Sequence, residues 1–589
     1  MSTAASSTLD EVGNDDTEFN SISLEKMLTY MRSECPDFAV LLRDALVADD
    51  NNLSLILYCD GLTPGSVLGH DNKRKSVVWY ASFAQFGPSL CHEELWMTLA
   101  LARNLALKKY PAKLSGYTRL LLRELFMSQD VNGRGIDILG RRARVTFHAL
   151  LADEEALSSM WHAKGSAGIT PCAICCTVTN KPTAADIEAG ILSLPQRSAL
   201  IQDISCSDKS RIGIKTDSDV WQLADELQLM AQAGAPTLQV SEQNYGLNYH
   251  PDAILFDKEL RRYVRPATCN RMDLMHIVFS NGVLGAEVML FLRSLKANHG
   301  VYFEEVRAYM ADWRCPWSRN LKPADCFNHH REKSSNDFLK VGASDLLGVY
   351  PALRHLVLES LMRSKKMAKH IEALLALMEM CDHCRQAVRC RTRVRAIELA
   401  SKMDEVVPRY FEAFKAAYGA ECMRFKHHQL LHLSDQVRAD GFLMTCWALE
   451  RKHIGTKQAM QHFCGVQKIP WSGSMSRIIN NQAIVCEFMG SWARGVNRRA
   501  VGSGGCECMG SWARGVNRRC RKICLCTRIA PIIDLKVRKL ADVSWTDKPL
   551  GKALPFPELA AACGAARAEA FHGLQHQGSS THGTTSDLR

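Results

Sequence analysis

The chain has 589 residues, of which 47% are hydrophobic and 23% are charged, an ordinary composition for a globular protein with more than one core. The most apolar stretch, Ile277 to Leu292, is interrupted by Asn281 and Glu287, and residues 1–20 have neither a basic start nor an apolar run. We therefore expect an intracellular protein without a membrane span or a secretory signal.

Cysteines and basic residues are distributed differently along the chain. The 23 cysteines occur over its whole length, which predicts reduced core thiols and no extensive disulfide framework. The net charge of +11 is concentrated: residues 494–539 carry twelve Lys and Arg against two acidic residues, a local net charge of +10. Attraction to phosphate is therefore expected from this tail and not from the nearly neutral body.

The first predicted elements are strands and helices in alternation. Residues 1–20 are expected to be disordered, and a short helical segment follows up to Val47. Apolar runs and periodicity then predict the strands Leu53–Cys59, Ser76–Phe83 and Arg144–Leu151 and the helices Glu93–Lys108 and Tyr117–Met127. Asp60 follows the first strand and Asp153 the third, so a mixed α/β sheet is predicted to present two carboxylates.

Asp60 and Asp153 have the chemistry of divalent-metal ligands. Hydrolysis and transfer of a phosphodiester use two divalent ions about 3.5–4 Å apart, and Mg²⁺ prefers oxygen ligands. Each Asp taken alone is better explained as a residue that ends a strand or caps a helix. Together with the other motifs of the chain, the two favour a metal site.

A second candidate site is the sequence Cys172-Ala-Ile-Cys175, in a loop flanked by Gly and Pro. Two cysteines at this spacing are typical of half a zinc site, and the adjacent Cys176 could replace either of them. We expect His276 to complete the site, with Asp273 as a further ligand or as the residue that fixes the His276 tautomer. The alternative is a loop with two buried thiols and a helix-capping Asp273.

After Asp273 the sequence predicts an all-α region. Its predicted helices are Val283–Leu295, Tyr302–Trp313, Leu346–Arg363, Ala368–Cys381, Arg391–Met403 and Val407–Tyr418. A further helix, Leu449–His462, carries Glu450. His427, His428 and His432 are interpreted as DNA contacts or structural histidines, since no nearby Glu completes a metalloprotease motif.

The C-terminal tail contains a direct repeat. Residues 486–499 recur almost unchanged as residues 506–519, and two copies are too few for a solenoid. The basic residues predicted to contact DNA phosphates are Arg494, Arg498, Arg499, Arg514, Arg518, Arg519, Arg521 and Lys522.

In order, these blocks resemble the CACTA-type and Plavaka-like DDE DNA transposases of eukaryotes. The resemblance rests on residues 57–65, 72–75 and 79–83, on Asp153 with the Cys-x-x-Cys segment, and on Asp273-Leu-Met-His276. It rests further on residues 426–432, on Gly441, and on residues 447–453, which read Trp-Ala-Leu-Glu-Arg-Lys-His. It covers residues 50–465, although each motif singly is unspecific.

The resemblance implies an α/β fold: an RNase H-like catalytic core interrupted by a large all-α insertion, with a zinc-loop-like segment and a basic tail. Asp60, Asp153 and Glu450 would then hold Mg²⁺ or Mn²⁺, with Glu421 and Glu287 as competing third acids. Zn²⁺ would be the second metal, bound by Cys172, Cys175, Asp273 and His276. The partners would be transposon ends and target DNA, in the nucleus, and a homo-oligomer is left open. The alternative is a catalytically inactive, transposon-derived DNA-binding or interaction protein.

The expected division of the chain follows the same blocks. It comprises a disordered N-terminus (1–20), the first part of the core (21–165), the Cys-x-x-Cys loop with a mixed insert (166–270), the helical insertion (271–440), the closing catalytic helix (441–470) and the basic tail (471–589).

Overall fold

The computed structural model describes residues 20–63, 75–178, 202–315, 321–334 and 337–464. The segment 1–19 and the basic tail lie outside these ranges. The predicted DNA contacts from Arg494 to Lys522 therefore also lie outside the described residues.

Within the described residues the fold consists of seven strands and fifteen α-helices. The strands are β1 (Asn20–Ser21), β2 (Asn52–Leu62), β3 (Ser76–Phe83), β4 (Met97–Arg103), β5 (Ile136–Ile138), β6 (Arg141–Ala152) and β7 (Asn270–Met272). The helices are α1 (Leu24–Glu34), α2 (Pro36–Ala48), α3 (Asn104–Lys109), α4 (Lys113–Arg123), α5 (Glu154–Trp161), α6 (Asp217–Gln232), α7 (Leu238–Tyr245), α8 (Val283–His299), α9 (Phe303–Met310), α10 (His329–Ser334), α11 (Ala343–Leu356), α12 (Ala368–Val388), α13 (Arg393–Tyr418), α14 (Phe425–Asp440) and α15 (Trp447–Cys464).

The strands form one mixed sheet in the order β1-β4-β3-β2-β6-β5, with β7 also paired to β6. β2, β3 and β4 are antiparallel neighbours, whereas β2 pairs with β6, and β6 with β7, in parallel. All eight residues of β3 are buried, as expected for a strand covered on both faces. The predicted α/β class is confirmed.

The register of the parallel strands determines what lies at their carboxyl ends. Tyr58 of β2 pairs with Leu151 of β6, and Ala152 of β6 pairs with Met272 of β7. If the pairing is continued along each strand, Asp60, Asp153 and Asp273 occupy the same level of the sheet. Neighbouring strands lie about 4.8 Å apart. The fold therefore places three carboxylates side by side at one edge.

One predicted helix is wrong. Residues 97–103, within the predicted helix Glu93–Lys108, form β4, which pairs antiparallel with β3 and buries six of its seven residues. The Leu and Ala of this segment favour a helix in isolation, but a central position in the sheet overrides that preference. The predicted strand Ser76–Phe83 is confirmed at both ends, and β2 extends past Cys59 to include Asp60.

The predicted helices after Asp273 are present in the described residues, with one change. The two segments Arg391–Met403 and Val407–Tyr418 are a single helix, α13, that continues through Pro408. α13 packs along both α12 and α14. The stretch Met275–His299, which contains α8, has the length and mean hydropathy (1.5) of a membrane span, but 78% of its most apolar window is buried in the protein, as in a core helix.

A buried ion pair attaches the end of α14 to the sheet. The Asp440 carboxylate accepts hydrogen bonds from Arg271 of β7, at 2.6 Å from Nε and 2.8 Å from Nη2, and lies 3.0 Å from His148 Nε2 of β6. The Asp440 side chain is 1% exposed. Burial alone would raise the pKa of Asp440, but hydrogen bonds from His148 and Arg271 outweigh it and hold this pKa below the ordinary value of 3.8.

We expect Asp440→Asn to reduce the free energy of unfolding at pH 7 by about 3 kcal/mol, because it leaves the Arg271 charge buried without its partner. Since a lowered carboxyl pKa stabilises the fold only at pH values above it, the difference from wild type should shrink as the pH falls below about 4. Urea denaturation at pH 7 and pH 3.5 measures both effects. Asp44→Asn, in an exposed ion pair with Arg43, is the control and should change stability by less than about 1 kcal/mol. Equal effects of the two substitutions would contradict the assignment.

Candidate metal centres

The first cluster of potential metal ligands combines Asp60 of β2 with Glu450 and His453 of α15. One ligand atom from each of the three residues lies within 4.8 Å of the other two. Glu450 and His453 are three residues apart on the helix and therefore share a face. His453 Nδ1 lies 3.7 Å from Asp60 Oδ2 and 3.9 Å from Glu450 Oε2. The helix thus delivers two donor groups to the carboxyl edge of the sheet.

Contacts on the buried side of α15 fix this arrangement. The Tyr80 hydroxyl of β3 lies 2.9 Å from Thr456 Oγ1, and both groups are buried. The His453 ring packs against Tyr58 and Tyr80, with centroid distances of 6.1 and 5.6 Å. These aromatic side chains come from neighbouring antiparallel strands, where cross-strand pairs share one face. The helix is therefore seated on β2 and β3 directly beside Asp60.

Asp60 lies in a crowded, partly buried position. Its carboxylate accepts hydrogen bonds from Tyr58 Oη at 3.1 Å and from the Gly61 backbone N–H at 2.5 Å. Burial, together with the negative charges of Glu450 and Asp153, raises the pKa of Asp60 to about 6. The two hydrogen bonds oppose this shift without cancelling it. Because neighbouring carboxylates repel one another when ionised, this position favours a bound cation that offsets the repulsion.

Asp153 lies next to Asp60 and also caps a helix. Its Oδ1 accepts a hydrogen bond of 2.7 Å from Ala156 N and so caps α5. The negative charge of Asp153 contributes to the raised pKa values of both Asp60 and Glu450, which places the three acids in one electrostatic cluster. The capping role and a metal-binding role are therefore compatible, since the cap uses one of the two oxygens. Asp60 and Glu450 thus share a group of ligand atoms, and Asp153 acts on both through its charge without belonging to that group.

The two competing acids lie elsewhere. Glu287 is fully buried in α8, where burial raises its pKa to about 8 beside Tyr410. Glu421 belongs to a short turn before α14. Neither carboxylate belongs to the clusters of ligand atoms found among the described residues. Glu450, in contrast, belongs to the same group of ligand atoms as Asp60.

His276 is held by Asp273 and not by the cysteines. Asp273 Oδ2 accepts a hydrogen bond from His276 N at 3.0 Å and lies 2.6 Å from His276 Nδ1, while Oδ1 accepts one from Cys446 N at 2.8 Å. Burial would lower the pKa of His276, but the hydrogen bond and charge of Asp273 raise it above the ordinary value. The prediction that Cys172, Cys175, Asp273 and His276 form one cluster is therefore wrong.

The partners of Cys172 and Cys175 are His428 and His432 of α14. Cys172 Sγ lies 3.5 Å from His432 Nε2, Cys175 Sγ lies 3.1 Å from His428 Nε2, and the two Nε2 atoms are 3.1 Å apart. All four residues are buried and their ligand atoms lie within 4.8 Å of one another. Burial excludes His428 and His432 from the DNA contacts that were one interpretation of the sequence.

The chemistry of these four donors fits a structural zinc ion. Two cysteine sulfurs and two imidazole nitrogens form a Cys₂His₂ set, which binds Zn²⁺ tetrahedrally. Burial would raise the pKa of Cys172, but a hydrogen bond from Cys175 and the neighbouring histidines hold it well below the ordinary value, while the pKa of Cys175 is raised. A Cys172 thiolate is the form that binds a metal.

Local sequence explains how both halves of this set are presented. The cysteine loop is tied down by backbone hydrogen bonds from Cys176 N to Gly213 O and from Lys215 N to Ile174 O, and by Lys215 Nζ, which donates to Cys172 O at 2.7 Å. The spacing of four residues places His428 and His432 on one face of α14. That spacing was the available signal in the sequence, and only the fold shows that this face meets the loop.

Comparison with protein-family models and with curated proteins gives no match to this chain. The chemistry of the site is therefore argued from its own residues.

We expect Cys172→Ser and His432→Asn each to remove about one zinc ion per chain, because a structural zinc needs all four ligands. Metal analysis of the purified protein by mass spectrometry measures the loss, and the melting temperature should fall with it. Cys176→Ser is the matched control, since Cys176 adjoins the loop but is not among the four ligands. Unchanged zinc content in both ligand variants would refute the Cys₂His₂ assignment.

A second prediction concerns Asp60 in protein free of Mg²⁺ and Mn²⁺. A carboxyl pKa raised from 3.8 to about 6 makes the fold less stable as the pH rises from about 4 to 6, because the folded state resists losing this proton, and the loss of stability is complete above pH 6. Asp60→Asn should therefore raise the free energy of unfolding at pH 7.5 by about 1–3 kcal/mol, and this gain should disappear at pH 4. Thermal unfolding at the two pH values measures it, with Asp44→Asn as the control. A loss of stability at pH 7.5 would contradict the described crowding.

Proposed function

We propose that the chain is a DDE-type DNA transposase-like nuclease and strand transferase that uses Mg²⁺ or Mn²⁺. The observation that carries this proposal is the grouping of Asp60 and Glu450, with Asp153 close enough to act on both through its charge. Asp60 lies near the carboxyl end of β2, Asp153 follows the parallel strand β6, and Glu450 is delivered by α15, which packs against β2 and β3. Crowded carboxylates at such an edge need a cation to offset their repulsion.

The topology supports the finer fold assignment. Strands β4, β3 and β2 are antiparallel, and β6 and β7 then continue the sheet in parallel with β2. An RNase H-like core has this arrangement of three antiparallel strands followed by two parallel ones. The helical residues between β7 and α15 then correspond to the insertion that the resemblance to CACTA-type and Plavaka-like transposases implies.

Each part of the site has a defined task in this proposal. Divalent ions bound there would activate the attacking hydroxyl and stabilise the leaving oxygen. Asp60, Asp153 and Glu450 would hold the ions. The Tyr58 hydroxyl orients Asp60, the cap of α5 fixes Asp153, and the contact of Tyr80 with Thr456 fixes the helix that carries Glu450.

The Cys₂His₂ cluster would serve this site as a structural zinc centre. Cys172 and Cys175 follow Asp153 closely in the chain, whereas His428 and His432 lie on the helix that precedes Glu450. A zinc ion bound to both segments would therefore join the part of the chain that carries the second acid to the part that carries the third. Its role is to position the acids and not to react.

DNA is the proposed partner, both as transposon ends and as target, and the nucleus is the proposed location. The predicted phosphate contacts of the basic tail would add sequence-independent affinity that weakens with salt.

The test is nicking of supercoiled plasmid by the full-length chain in Mn²⁺ and in Mg²⁺, followed as conversion to open circles on a gel. We expect Asp60→Asn, Asp153→Asn and Glu450→Gln each to lower the rate at least about 100-fold, because removing a metal ligand costs more than the 10–100-fold typical of its supporting residues. Asp137→Asn, an exposed Asp at the β5–β6 turn, is the matched control and should retain the rate.

If the wild type shows no metal-dependent nicking but retains DNA binding, the alternative of a catalytically inactive, transposon-derived DNA-binding protein is correct. Nicking that survives Asp153→Asn would instead place the activity in other residues or in a contaminant.

A further inference from the structure

We infer that His453 is a metal ligand, and that Asp60, Glu450 and His453 form a site with two carboxylates and one imidazole that selects Mn²⁺ over Mg²⁺. The inference rests on the proposed function and names the metal that this site prefers. His453 is the last residue of the segment 447–453, which carries part of the resemblance, but the resemblance implies no role for its side chain.

The first support is where the imidazole points. Nδ1 faces both carboxylates, 3.7 Å from Asp60 Oδ2 and 3.9 Å from Glu450 Oε2. Both distances are too long for a hydrogen bond. The three atoms nevertheless lie within 4.8 Å of one another, so one cation between them would be within reach of all three after small side-chain movements.

The second support is the burial of the ring. The His453 side chain is 2% exposed and is packed between helix α15 and the rings of Tyr58 and Tyr80. Its Nε2 is buried and has no hydrogen-bond partner among the described residues. Packing against the two tyrosines therefore holds the ring with Nδ1 on the side that faces the carboxylates.

The donor set determines the metal. Mg²⁺ takes oxygen ligands and is bound in proteins by one or two carboxylates with waters. An imidazole nitrogen suits transition-metal ions better than it suits Mg²⁺, and Mn²⁺ is a transition-metal ion that also takes the carboxylate ligands supplied by Asp60 and Glu450. Replacing one oxygen ligand by His453 should therefore strengthen binding of Mn²⁺ relative to Mg²⁺.

His276 provides a natural comparison on another side of Glu450. The positive charge of a protonated His276 would lower the pKa of Glu450. The Nδ1 atom of His276, however, lies 2.6 Å from Asp273 Oδ2 and is paired with that carboxylate. His276 shares a separate group of ligand atoms with Asp273 and Cys446. Of the two histidines near Glu450, His453 is the one that shares a group of ligand atoms with both Asp60 and Glu450.

The experiment uses full-length protein that retains its zinc, so that His428 and His432 are occupied, and Mn²⁺ as the added ion. Electron spin echo envelope modulation detects a nitrogen bound to Mn²⁺. We expect an imidazole nitrogen signal in wild type, its replacement by a ¹⁵N signal after histidine-specific labelling, its loss in His453→Gln and its retention in His276→Gln.

Affinities give a second readout that does not depend on activity. Calorimetric titration should show that His453→Gln weakens Mn²⁺ binding about 10-fold or more, while Mg²⁺ binding changes much less. Because His453 is buried, circular dichroism and zinc content should establish that the variant folds. The labelling result on wild type stands even if the variant does not fold.

The outcomes separate this inference from the proposed function. Mn²⁺ bound without a nitrogen signal overturns the role of His453 and leaves the carboxylate nuclease intact. A nitrogen signal that His453→Gln abolishes, in a protein that nicks no DNA, supports the metal site and refutes the nuclease. Absence of Mn²⁺ binding overturns the inference, and nicking in Mg²⁺ then decides the function independently.

Discussion

Repulsion among carboxylates at one edge of the sheet is the constraint on which the site depends. The parallel register of β2, β6 and β7 leaves Asp60, Asp153 and Asp273 at the same level, and α15 adds Glu450. Two like charges 4 Å apart repel by about 4 kcal/mol at an effective dielectric constant of 20. The surrounding contacts offset this repulsion: the cap of α5 binds Asp153, His276 pairs with Asp273, and Tyr58 with the Gly61 N–H binds Asp60. The cluster as a whole still favours a bound cation.

Asp60 and Asp153 can be recognised in the sequence as candidate ligands because each follows a short apolar run that predicts a strand. β3 was predicted to the residue, since a short apolar run rich in β-branched and aromatic residues has few alternatives. β4 was missed because its Leu and Ala favour a helix until the neighbouring strand is present. The prediction that His276 completes the cysteine site is wrong for a different reason: which distant histidines meet the cysteine loop is decided by tertiary packing, and no local pattern specifies it. His453 had no sequence signal beyond its spacing from Glu450.

The two candidate metal centres depend on one another through α14. Its first half carries His428 and His432, and its last residue, Asp440, is bound by Arg271 and His148 from the sheet. The helix α14 is therefore attached to the rest of the protein at two points, in its first half and at its last residue, before α15 begins. Because α15 starts only seven residues after Asp440, little freedom remains in the position of Glu450. A change in the cysteine loop would accordingly alter the position of Glu450 in the acidic cluster, even without a direct contact between the two.

The contact between Asp440 and Arg271 also closes the helical region into a loop, because it joins the two ends of that region. The chain leaves the sheet at Asp273, two residues after Arg271, and returns at Asp440, whose carboxylate binds Arg271, so the two ends of the helical region are fastened to each other. The cost of closing a loop rises only slowly with its length. Helices could therefore be gained or lost between α8 and α13 over evolutionary time with little effect on the geometry at the junction. The helical region is free to diversify in size and surface while the acidic edge of the sheet stays the same.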